Sequence, residues 1–146
     1  MKRTPSAVRP AMFVLIAAAL LCTACGDVFG PLLQRADTQH GGDVIESIRV
    51  ARSGSNYFEE RVDSSATFVL HYAEPVAEHS AQENIRLTDE GGAPLPILVD
   101  VLLTSIEIVP MGPLESGNHV IRIDEGIEDS SGNGTVQSYE IAFAVP

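Results

Sequence analysis

From Val44 onward, apolar and polar positions alternate with a period of two. The alternating runs are VIESIRV (44–50), ATFVLHY (66–72), IRLT (85–88), PILVDVL (96–102), SIEIV (105–109), HVIRI (119–123) and SYEIAFAV (138–145). In the second run Ala66, Phe68, Leu70 and Tyr72 fall on one face, and in the last Tyr139, Ile141, Phe143 and Val145 do the same. The runs are rich in β-branched and aromatic residues and are bounded by Gly, Pro, Asn and Asp, the signature of half-buried strands. About seven short strands at this spacing predict an all-β sandwich or barrel. Only the stretch from Glu74 to Asn84 is suited to a helical turn, and no long segment carries a helical apolar stripe.

The N-terminal pattern is different. Lys2, Arg3 and Arg9 precede an uncharged apolar run from Ala11 to Cys22, then small residues and Cys25. A basic start, an apolar stretch and a small-residue cleavage site make a secretory signal. The run is about a dozen residues, short of the roughly 20 that a membrane-spanning helix needs. Leu21-Cys22-Thr23-Ala24-Cys25-Gly26 resembles a bacterial lipobox, departing from it at Cys22, where such boxes usually carry Leu. The resemblance implies a signal peptide over residues 1–24 and an acylated Cys25 as first mature residue. Several acyl chains, palmitate among them, would anchor it stably, because more than one chain is what lasting attachment requires. The alternative is an ordinary secretory signal with an incidental Cys25. Either way the domain is expected outside the cytoplasm. Gly26 rather than Asp after the cysteine resembles the sorting pattern that permits passage to the outer membrane of Gram-negative cells.

Residues 25–43 lack a clear pattern and hold five glycines or prolines between Gly26 and Gly42, which reads as a flexible tether to a domain spanning 44–146. An apolar island at Phe29, Leu32 and Leu33 belongs to that tether or packs on the domain edge.

Charge narrows the picture. The chain has nine basic and twenty acidic residues. Losing Lys2, Arg3 and Arg9 with the leader leaves six arginines against all twenty acids, a formal charge of −14. With no basic patch visible along the chain, nucleic-acid binding and electrostatic docking to anionic lipid are not expected. Cys25 is the only cysteine after processing, so no intrachain disulfide forms and the core must hold the fold.

Several short pieces then occur in a telling order: Tyr72-Ala73-Glu74-Pro75-Val76, Asn84-Ile85-Arg86-Leu87, Ile106-Glu107-Ile108-Val109-Pro110, Leu114-Glu115-Ser116-Gly117 and Asp129-Ser130-Ser131-Gly132-Asn133. Their order and spacing resemble a bacterial Ig-like domain of the surface-layer (SbsA-like) type over residues 44–145, with His119 standing where that family usually has Tyr. The resemblance implies a Greek-key β-sandwich in a structural, adhesive or spacer role toward an unidentified envelope or extracellular protein, and no catalysis.

Candidate chemistry is sparse. Asp124, Glu125, Glu128 and Asp129, with Asn133 nearby, crowd one loop that would either take Ca²⁺ through its oxygens or stay a solvated acidic hairpin. Their spacing does not match an EF-hand. No other cofactor is expected. Tyr57 and Phe58 lie in a predicted loop, where they would stack on a glycan or plug the loop. His40, His71, His79 and His119 show no zinc-ligand spacing, and His71 should face outward, opposite Phe68 and Leu70. There is no Gly-x-Ser-x-Gly elbow and no phosphate-cradling Gly loop.

Overall fold

The seven alternating runs all form strands in the computed structural model, which describes residues 30–146. Among the described residues there are ten: β1 (Leu33–His40), β2 (Asp43–Arg49), β3 (Asn56–Tyr57), β4 (Thr67–Tyr72), β5 (Ile85–Thr88), β6 (Pro94–Leu95), β7 (Ile97–Leu102), β8 (Ser105–Pro110), β9 (Gly117–Ile123) and β10 (Tyr139–Val145). One helix, α1 (Glu78–Asn84), carries the chain from β4 to β5. The signal peptide and Cys25 lie outside the described residues. No helix among the described residues is long and apolar enough to cross a membrane.

The strands make two five-stranded sheets that pack face to face as a β-sandwich. One runs β2-β1-β4-β8-β7, antiparallel throughout, and the other β3-β10-β9-β5-β6, with β3 parallel to β10. Pro96 sits between β6 and β7, where the chain leaves one sheet for the other. The period-two pattern explains the core. Phe68, Leu70, Ile106 and Ile108 point inward from the first sheet, and Ile121, Ile123, Ile141 and Phe143 from the second. The Phe68 and Phe143 rings meet across the interface at 4.7 Å. Each fully buried side chain of this size contributes about 1.5–3 kcal/mol, which is how the fold stands without a disulfide.

Two expectations need correction. Residues 33–40 are not part of a tether. They form β1, which is hydrogen-bonded between β2 and β4, with Leu33 and Ala36 fully buried. Ala36 and Thr38 lie opposite Leu70 and Phe68, so β1 completes the core with small residues that leave little hydrophobic signal. The domain therefore begins by Gly30 rather than at residue 44. Leu33 of the apolar island is in the core, Leu32 is half-buried, and Phe29 lies outside the described residues. Ten strands rather than about seven are present among the described residues, the additional ones being β1, β3 and β6, the last two only two residues long.

The two ends of the sandwich differ. At one end Gly30 donates to the Gly134 carbonyl, Tyr72 to that of Thr104, and Ala77 to that of Glu128. This gathers the start of the described chain, α1, the β7–β8 turn and the 126–135 loop. A Cβ on Gly30 would come within 2.4 Å of the Thr135 nitrogen, so only glycine fits there. At the other end Leu114 donates to Ser64 and Val62 to Ala144, beside the β1–β2 turn and the end of β10.

Candidate functional site

The outer face of the first sheet carries a cluster of bonded polar side chains. On β1 the alternation that buries Ala36 and Thr38 inward turns Arg35 and Asp37 outward. Asp37 is nevertheless only 3% exposed, because three neighbours cover it. Ser47 Oγ of β2 donates to Oδ1 at 2.6 Å, and Arg35 Nε pairs with the same oxygen at 3.1 Å. His71 Nε2 of β4 lies 2.8 Å from Oδ2 and 3.1 Å from Arg35 Nη2, so the imidazole edge meets both the carboxylate and the guanidinium. These bonds offset the cost of burying the carboxylate.

One step along the strands, register aligns Arg49, Arg35 and His71 across β2, β1 and β4. An open groove of about 670 Å³ runs over this row, lined by Leu32, Arg35, Arg49, Arg52 and His71 among others. Three of the six arginines among the described residues thus border one hollow, beside the point where the described chain begins. No linear run of basic residues signals this patch, since the fold assembles it from β1, β2, β4 and the loop after β2.

Ser47, His71 and Asp37 are also the residue types of a hydrolytic triad. The wiring is wrong for one. In a triad the imidazole bridges the hydroxyl and the carboxylate and takes the hydroxyl proton. Here the carboxylate bridges the other two, and Ser47 spends its proton on Asp37. The cluster fixes charges; it does not activate a nucleophile.

The acidic loop does not converge. Asp124 pairs with Arg86 at 2.9 Å, Glu128 with His79 at 3.2 Å, and Glu125 is exposed. Asp129 Oδ1 accepts from the Ser131 and Asn133 backbone N–H groups, while Oδ2 accepts from Asn133 Nδ2. These bonds, the Asn133 side chain foremost, hold the Asp129 carboxyl below its usual range. Asp129 and Asn133 are thereby committed to closing their own turn. Among the described residues, no three His, Cys, Asp or Glu side chains gather where a metal could bind. The five residues with oxygen ligands expected for Ca²⁺, Asp124, Glu125, Glu128, Asp129 and Asn133, are thus spread over two side-chain pairs, an exposed side chain and a self-closed turn rather than gathered at one point.

The aromatic pair separates as well. Tyr57 is 54% exposed, but Phe58 is buried against Phe68 at 6.2 Å. Adjacent residues of an extended segment face opposite ways, so the two cannot form one stacking platform, and Phe58 is a core residue. Of the histidines, His71 lies on the outer face as expected, and His40 sits beside Ser65 and Asp63. His119 is buried, stacks on Phe143 at 5.3 Å and donates from Nδ1 to the Gly117 carbonyl.

The residues that reasoning from sequence missed are Arg35, Asp37, Ser47, Arg49 and Arg52. The available signal was the i, i+2 spacing of Arg35 with Asp37 and of Ser47 with Arg49, which puts each pair on one strand face. No protein-family model matches the chain, and a comparison with curated proteins finds no match either.

Proposed function

We propose that this chain is a membrane-anchored lipoprotein whose non-catalytic Ig-like domain serves cell-envelope structure, adhesion or protein interaction outside the cytoplasm. The observation that carries the Ig-like part is the strand order. Lettering β1, β4, β5, β6, β7, β8, β9 and β10 as A, B, C, C′, D, E, F and G gives A-B-E-D in one sheet and G-F-C-C′ in the other. That is the division of strands between the sheets of an Ig sandwich, with β2 and β3 as additions at the edges. The anchoring part rests on the lipobox-like Thr23-Ala24-Cys25, with four residues between Cys25 and Gly30. In a Gram-negative cell, Gly26 after the acylated cysteine favours the outer membrane.

The test is fractionation with surface protease shaving of cells making the wild-type chain or Cys25→Ala. The wild type is expected in the membrane fraction and the variant outside it. Shaving of the wild type would place the domain on the cell surface; protection would direct the search to partners inside the envelope. A Cys25→Ala chain that stays with the membrane sinks the anchoring proposal.

A further inference from the structure

We propose that the groove bordered by Arg35, Arg49, Arg52 and His71 is a binding site for a phosphate group. Arg35 and Arg49 are directly opposite each other on β1 and β2. Like charges so placed repel and destabilise a sheet unless something neutralises them. The same sandwich shows how it meets that problem elsewhere. Arg86 and Arg122 are opposed across β5 and β9, and each has a carboxylate, Asp124 at 2.9 Å and Glu140 at 3.4 Å.

The groove pair is treated differently. Arg35 shares Asp37 with Ser47 and His71. Arg49 and Arg52 have no carboxylate within ion-pair distance among the described residues. Arg61 also lacks such a partner among the described residues, but Arg49 and Arg52 alone of the three border one hollow together with Arg35, so their charges are gathered and open to an anion.

The donor set favours phosphate over a single carboxylate. Three arginines and a histidine line the hollow, and a tetrahedral oxyanion has enough oxygens to accept from more than one guanidinium. Asp37 is the acid packed against the group, and its oxygens are already taken by Ser47, Arg35 and His71. It orients Arg35 and leaves Arg49 and Arg52 open to the ligand. The phosphate would come from a free phosphorylated solute or from a lipid headgroup. The site does not require Cys25 to be acylated, so it stands or falls separately from the anchoring proposal.

The experiment titrates inorganic phosphate into the full chain held in neutral detergent micelles, at ionic strength fixed with chloride, and follows binding by calorimetry. Arg35 is left in place because it partners Asp37. Saturable binding is expected, weakened about tenfold or more for each guanidinium lost in Arg49→Gln and in the Arg49→Gln/Arg52→Gln double variant. The Arg122→Gln control should bind like the wild type. Micelles doped with phosphatidic acid, compared with phosphatidylcholine, identify the source. Competition by phosphatidic acid that the double variant lacks assigns a headgroup; its absence alongside phosphate binding assigns a free phosphate. No saturable binding of either probe by folded wild type, or equal binding by the double variant, overturns the proposal.

Discussion

At the scale of single residues, Tyr72 is the clearest liability. Its ring is in the core, and its hydroxyl is buried with no hydrogen-bond partner among the described residues. An unpaired buried hydroxyl costs about 1–3 kcal/mol, so Tyr72→Phe should stabilise the domain by about 1 kcal/mol at pH 7, read as a higher urea midpoint. Burial also raises the Tyr72 hydroxyl well above its ordinary pKa of 10.0. The unfolded chain then releases this proton at a lower pH than the folded one. The folded state holds more protons above about pH 10, and stability falls as pH rises through that range. Burial acts on Tyr139 in the same direction, opposed by the nearby Arg52 charge. Repeating the urea titration near pH 10.5 should show the gain from Tyr72→Phe widening; a gain that shrinks there would contradict this account.

At the scale of elements, the contrast between edges is informative. The second sheet ends in β3 and β6, each two residues long and one containing Pro94, so neither offers a template for another strand. The first sheet ends in β2 and β7, seven and six residues long, and on β7 Leu98 and Leu102 are both more than half exposed on the outer face. Asp100 lies between them on that face and is the one charge interrupting the stripe. Charged residues on edge strands hinder edge-to-edge pairing. Asp100→Val should leave thermal stability nearly unchanged while producing oligomers visible by light scattering. The same contrast shows what sequence reveals about elements. The strands β4 and β10 are plain because large apolar residues mark their inner faces. β1 is hidden because its inward positions are Ala36 and Thr38, and its outward Asp37 is buried by partners from other strands. The groove is hidden for a related reason. Arg35 and His71 are 36 positions apart, and only the register of β1 on β4 makes them neighbours.

At the scale of the whole molecule, charge dominates. Among the described residues six arginines face nineteen acids, a formal −13 that makes the folded state self-repulsive, because folding brings the acids closer than the unfolded chain does. Added sodium chloride should therefore raise Tm between about 10 and 150 mM, the range over which the screening length shrinks from about 30 to 8 Å. A flat or falling Tm would mean that the three arginine–carboxylate pairs among the described residues outweigh the repulsion. The described chain begins at the end of the sandwich that holds α1 and the β7–β8 turn, and β10 finishes at the opposite end. Strands of six or seven residues separate these ends by about 20–24 Å. Five residue steps from Cys25 to Gly30 span at most about 18 Å. Under the proposed anchoring at Cys25, a fluorophore joined after Pro146 would sit at the end of the sandwich opposite Gly30, and its energy transfer to a dyed bilayer would report whether the sandwich stands upright or lies down.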